Sequence, residues 1–203
     1  MSEHSRATRN GAGEVIPPKW SFRAVYRIRA LLMVPPMVFV TLCTWSEVEH
    51  ELLVFGLGGS VFVVGLLMRL WAQTHLHYRL PESKVLTTTG PYSLVRNPIY
   101  IGNTIMLAGV CFLTELFWFA PIMLGYCALV YSLVVRWEES HLGRKYGRAY
   151  ASYTRRVPRW LPRCRRPLEA ASVDSARYLA ASLLAEGHNL LLLVPPVIKE
   201  LVV

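Results

Sequence analysis

Acidic residues, cysteines and charge in general are scarce in this chain of 203 residues. Asp and Glu number 13 against 22 Lys and Arg, for a net charge of +9, and charged residues make up 17% of the chain while hydrophobic residues reach 53%. So much apolar material exceeds what one small soluble globule buries, and this argues against an ordinary water-soluble domain. Only four cysteines are present. Cys43, Cys111 and Cys127 lie inside apolar runs, and Cys164 sits in a basic stretch with no CxxC or Cys/His spacing around it, so neither a disulfide framework nor a zinc site is expected, and no metal is assigned. The basic residues fall in blocks between apolar runs and not along one polar face, which points away from nucleic acid and toward anionic lipid headgroups.

Four segments contain no Asp, Glu, Lys or Arg: Ala30 to Ser46, Leu52 to Met68, Asn97 to Thr114 and Leu116 to Val135. Runs of this size approach the ~20 residues that cross ~30 Å of hydrocarbon, with Arg29 and Arg69 snorkelling at their ends. The expectation is an all-α integral membrane protein with about four transmembrane helices and a cytosolic C-terminal segment. Pro35-Pro36 predicts a kink in the first span, and Gly56, Gly58, Gly59 and Gly65 offer small surfaces for close packing in the second. Lys and Arg concentrate in residues 1–29, 69–96 and 136–166, whereas the turns near Glu47-Glu49-Glu51 and Glu115 carry none. The positive-inside rule then places both ends of the four-helix unit, and the loop between spans two and three, in the cytosol, with a cytoplasmic membrane as the expected location.

The domain organisation expected is a basic leader over 1–28, a membrane domain over 29–166 and a helical tail over 167–203. No small-residue cleavage pattern follows the leader, so a signal peptide is not expected. Ser172 or Asp174 could cap a tail helix ending near Glu186. A crossing by Tyr178 to Ile198 would put Glu186 in lipid at ~3 kcal/mol, so a docked or interfacial tail is the expectation.

Polar groups beside the spans carry the chemistry, because burying them is costly. In the run Gly90-Pro91-Tyr92-Ser93-Leu94-Val95-Arg96-Asn97-Pro98-Ile99-Tyr100, Gly90-Pro91 makes a turn and Pro98 suits a first helical turn. Arg96 and Asn97 are left at a helix N-terminus, where a carboxylate would be held. The alternative is that Arg96 marks the interface and Asn97 caps the helix. The second cluster is Arg136-Trp137-Glu138-Glu139-Ser140-His141. Adjacent carboxylates do not share a helix face, so one of Glu138 and Glu139 should point inward and the other should be solvated. The tight turn between the last two spans brings both clusters to one membrane face, where an anion site beside a cation site suits a zwitterion such as an amino acid.

These motifs, with Glu138-Glu139-xx-Leu142 and the run Tyr146-Gly147-xx-Tyr150-xx-Tyr153-xxx-Val157-Pro158-Arg159-xx-Pro162, resemble the isoprenylcysteine carboxyl methyltransferase family and its phospholipid methyltransferase relatives. The likeness covers roughly residues 65 to 163, with Arg69-x-Trp71-Ala72 upstream. It implies a membrane fold that binds S-adenosyl-L-methionine between its last helices and the C-terminal segment. The cofactor's carboxylate would lie near Arg96 and Asn97, its ammonium near Glu138 or Glu139, with Tyr92 and Tyr100 lining the pocket and Tyr146, Tyr150, Tyr153, Val157 and Pro158 beside the adenine. The family commonly has His where this chain has Asn97, so a base role there does not carry over. Gly102 would permit close helix packing.

Methyl transfer from a sulfonium needs mainly orientation and dehydration of the acceptor. A carboxylate acceptor needs a cationic clamp, for which Arg136 is the candidate, and an amine acceptor needs a base, for which Glu139, His75 or His77 are candidates. The expected activity is transfer to a lipophilic acceptor, an isoprenylcysteine-like carboxylate or a phospholipid amine, arriving from the bilayer. Two alternatives are a sterol-reductase-like enzyme using NADPH and a non-catalytic lipid-binding protein.

Overall fold

The computed structural model describes residues 24, 26–43, 51–79, 85–162 and 176–202, and the regular elements among them are all helical. Residues 1–23 and 25 of the expected leader over 1–28, the Glu47-Glu49 turn, Cys164, the Ser172 and Asp174 caps and the side chain of His77 lie outside the described residues. α1 (Val34–Leu42) follows a 3-10 turn at Leu31–Met33. Pro35 and Pro36 fall in its first turn, where missing backbone donors break no helical hydrogen bond, so they start the helix and do not kink it.

α2 spans Glu51–Arg79, α3 Pro98–Leu113 and α4 Ala120–Tyr146. Gly147, at φ +50, lets the chain break sharply into α5 (Arg148–Arg156). The tail holds α6 (Ala176–Glu186), a 3-10 segment at Gly187–Leu193, and α7 (Val194–Val202). Among the described residues, three stretches are long and apolar enough to cross a membrane: Leu52–Leu76, Phe117–Tyr146 and Tyr178–Lys199. Leu31–Leu42 and Pro98–Leu113 are shorter apolar helices, and at 1.5 Å per residue α3 rises about 24 Å, less than the hydrocarbon thickness. Leu52 is 87% exposed and Leu184 85% exposed on these elements, an outer surface suited to lipid and not to water. The chain is an all-α membrane protein.

The tail, expected to be docked or interfacial, lies against α2. Glu186 is only 4% exposed, and its carboxylate receives Arg69 Nε at 2.6 Å, Arg69 Nη2 at 3.1 Å and Asn189 Nδ2 at 2.6 Å. The charge therefore sits inside the bundle against a partner on α2 and avoids the cost of lipid. Arg69 also donates to Asn103 on α3, so it does not snorkel. At the far end, Lys199 Nζ donates to the Thr114 carbonyl at 3.1 Å, beside the turn that joins α3 to α4.

α2 and α3 approach through glycines spaced seven apart on each helix. A Cβ on Gly65 would lie 2.7 Å from the Met106 backbone nitrogen and 2.8 Å from the Gly102 carbonyl, and one on Gly109 would lie 2.7 Å from the Phe62 nitrogen. A Cβ on Gly58 would meet the Leu113 nitrogen at 2.9 Å, whereas Gly56 and Gly59 have nothing within 4 Å. Gly58 and Gly65 thus do the packing expected of all four, with Gly102 opposite. Gly65→Val should lower the unfolding temperature in detergent by an amount equivalent to at least the ~1–3 kcal/mol of an overpacked core, while Gly59→Ala should leave it nearly unchanged. Equal melting of the two variants would remove the glycine contact from the account.

The main core gathers Val40, Phe62, Met106, Val110, Cys111, Met123, Cys127 and Val134 around this contact. A second cluster of Tyr150, Tyr153 and Val157, packed with Leu86, Leu142 and Tyr146, joins α5 to the end of α4 and to the segment before α3.

Candidate active site

Two short segments meet at the start of α3. Gly90 takes φ +59 to open a 3-10 turn over Gly90–Ser93, and its lack of a side chain leaves room for the His75 ring lying against it. Arg96 N–H donates to the Pro158 carbonyl at 2.9 Å, and Asn97 Nδ2 donates to the Arg159 carbonyl at 3.2 Å. Tyr153 OH donates to the Tyr92 carbonyl at 2.7 Å. These bonds hold the segment after α5 beside residues 92–97. Asn97 begins α3 with no side-chain capping bond, so its role is to hold Arg159 and not to cap.

Glu139 is the charged centre of this junction. Its Oε1 lies 3.0 Å from Arg96 Nη1 and accepts Arg159 Nε at 3.0 Å, while Oε2 accepts Arg159 Nη2 at 2.5 Å. The side chains of Glu139 and Arg96 are only 13% and 15% exposed. The expected anion site and cation site do converge on one face, but they meet by binding each other. The expectation that one of the two glutamates would be solvated is also corrected. Glu139 reaches the returning C-terminal segment, and Glu138, one residue earlier, accepts Tyr100 OH at 2.8 Å across from α3. Burial pushes the Tyr150 hydroxyl up to about 12, helped by the nearby Glu139 carboxylate. Burial likewise raises Tyr153, with Tyr92 beside it adding to the effect, and raises Tyr92, with Glu138 the next contributor. All three remain neutral near neutral pH.

Beside this junction lies a cavity of about 860 Å³, within the ~300–1,000 Å³ of small-molecule sites. Its polar end is formed by Tyr92, Arg96, Asn97, Tyr100 and Glu138, all of them predicted from the sequence. Arg96 contributes a buried Nε with no hydrogen-bond partner. Around them stand residues that the sequence reading did not assign: Arg29, Asn103, Trp137 and His141. Trp137 is sandwiched between Tyr26, with centroids 4.2 Å apart, and His141, at 5.6 Å. The Arg29 guanidinium lies 4.1 Å from the centre of the Tyr26 ring. Tyr26 and Arg29 therefore belong to the site, although the domain boundary expected after residue 28 divides them.

Other predicted residues stand elsewhere. Arg136 is exposed and off the cavity wall. It precedes Glu138 by two residues, or about 200° around a helix, so it faces the opposite way. Glu139 has both oxygens occupied by guanidinium donors and is likewise not on the wall. Tyr146, Tyr150 and Tyr153 pack in the second cluster and do not line the cavity. His75 is 8% exposed, off the cavity wall, with Nδ1 3.3 Å from Thr89 Oγ1. Arg159 could have been found from its place in the Val157-Pro158-Arg159 run, and Arg69 with Glu186 from the need of two charges in apolar helices for each other.

A family model described as phospholipid methyltransferase matches residues 52–149, the stretch from α2 through the Glu138-Glu139 step into α5. The nickel-cobalt-cadmium resistance protein NccN of Alcaligenes xylosoxydans xylosoxydans is 34% identical over 153 residues, covering 72% of this chain and 69% of that protein. The chain belongs to the phospholipid methyltransferase family. The domain this family supplies here is that of a membrane methyltransferase. A second relative, the cobalt-zinc-cadmium resistance protein CzcN of Cupriavidus metallidurans, is 36% identical over 121 residues, or 59% of this chain and about half (52%) of that protein. No solved structure matches. The cavity of this phospholipid methyltransferase family member draws walls from outside the matched stretch at both ends: Tyr26, Arg29 and Met33 before it, and His188, Asn189 and Leu192 after it.

Proposed function

We propose that this protein is an S-adenosyl-L-methionine-dependent methyltransferase acting on a lipophilic acceptor within the membrane. The observation that carries the reading is one cavity lined by both Glu138 and Arg96, the latter with a buried Nε that has no hydrogen-bond partner. An acceptor and a donor of opposite charge fit the ammonium and carboxylate of a zwitterion. Asn97, Tyr92 and Tyr100 would complete that end, and the cavity volume accommodates a nucleoside-sized group beside it. When bound, the cofactor supplies an electrophilic methyl group on a sulfonium. The protein's part is to orient and dehydrate what comes to meet it. Arg29 takes the place on the wall that Arg136 was expected to fill, as the cation for a polar acceptor head.

In the orientation set by the basic blocks, the Arg96–Glu139 junction faces the cytosol. With Tyr178–Lys199 crossing, the C-terminus then emerges on the opposite side. The relatives' names link them to resistance against nickel, cobalt, zinc and cadmium. The reading brought to this chain is that its methylated product serves cells exposed to such cations. Calorimetry on the purified protein should show cofactor binding, weakened by Glu138→Gln by ~1.5–3 kcal/mol, or about 10- to 100-fold. Gln keeps an acceptor for Tyr100 while removing the charge. Binding of NADPH in place of S-adenosylmethionine would support the reductase reading and contradict this one.

A further inference from the structure

The cavity has an apolar end, and two of its three walls come from segments that flank the matched family domain. Leu192 of the tail, Met33 of the turn before α1 and Leu107 of α3 line it. Met33 and Leu192 also pack against the main core, so this end is part of the folded interior. The tail is held in place by polar bonds made beside the cavity. Arg69 on α2 takes Glu186, and Asn189 closes onto the same carboxylate. Lys199 fixes the other end to the Thr114 carbonyl. A wall pinned at both ends has a fixed position and presents one shape. On the methyltransferase reading, the charged end is taken by the cofactor's zwitterion, which leaves the apolar end for the acceptor's hydrocarbon.

We infer that the C-terminal tail is a specificity element, in which Leu192, facing Met33 and Leu107, forms the seat for the acceptor's hydrocarbon chain. The inference rests on the function proposed above and adds which lipid contact selects the substrate. Burying apolar chain at this end is favourable in proportion to the area covered, and an indole in place of the Leu192 side chain would fill the space.

The test uses the full-length protein in nanodiscs with a photoactivatable diazirine fatty acid as probe and S-adenosylhomocysteine binding as a parallel readout. Crosslinks should map to peptides containing Met33, Leu107 or Leu192. Leu192→Trp should reduce that yield at least tenfold with S-adenosylhomocysteine affinity unchanged, and Leu192→Met should restore it. Crosslinks confined to outward-facing positions such as Leu129 and Leu184, or a yield indifferent to Leu192→Trp, would overturn the inference. Absence of S-adenosylhomocysteine binding in the unaltered protein would instead sink the proposed cofactor and leave the apolar seat to be judged by crosslinking alone. Should Leu192→Trp fail to fold, Met33→Trp approaches the same seat from the opposite wall and carries the same two outcomes.

Discussion

Glu186→Ala should destabilise the protein by ~3–5 kcal/mol, because it strands the Arg69 guanidinium inside the bundle. Arg69 and Glu186 are 11% and 5% exposed at their side chains, so neither charge is hydrated when its partner is removed. Such a loss is a large part of the ~5–15 kcal/mol that holds a typical domain. The expected result is a collapse in the yield of monodisperse protein from detergent, and Arg69→Ala should do the same through the uncompensated carboxylate. Arg69→Met combined with Glu186→Leu should recover most of the stability, since an apolar pair of similar volume avoids desolvating either charge. A double variant no better than the singles would mean that the two residues act separately.

Glu139→Ala is the second substitution with a large expected effect. It takes away the one carboxylate shared by Arg96 and Arg159 and leaves two guanidiniums facing each other. The segment after α5 would then be held by the Arg96 backbone N–H, the Asn97 side-chain amide and the Tyr153 hydroxyl. With charge-assisted bonds worth ~1.5–3 kcal/mol each, cofactor affinity should fall by about 100-fold or more. Glu139→Gln should fall between the two, because it keeps acceptors but loses charge. Arg136→Ala, one turn earlier and exposed, should change neither affinity nor turnover. An Arg136→Ala variant that binds cofactor normally but transfers no methyl group would return Arg136 to the acceptor site.

The sequence shows the parts of this fold that depend on local composition. Uninterrupted absence of charge marks the crossings by α2 and α4, Pro98 marks the start of α3, and Gly65 opposite Gly102 follows from small residues in apolar helices. The convergence of Arg96 with Glu139 was legible because a short turn forces α3 and α4 together. Its outcome as a mutual pair was not, since Arg159 arrives from 20 residues beyond Glu139. Arg69 and Glu186 are 117 residues apart, and periodicity carries no information about such a partner. Glu186 alone reads as a charge that cannot enter the membrane, and with Arg69 it reads as the anchor that holds the tail against α2. The place of Arg136 off the cavity wall was hidden for a different reason. Residues 120–135 of α4 are uncharged on every face, so nothing in the pattern shows which side of the helix looks into the cavity.

The most direct test of the central claim is to incubate the purified protein with methyl-labelled S-adenosylmethionine and a bacterial lipid extract, then identify labelled products by mass. The account predicts a labelled lipophilic product that disappears with Glu138→Gln. Full cofactor and acceptor exposure with no labelled product, from protein that melts cooperatively, would contradict it.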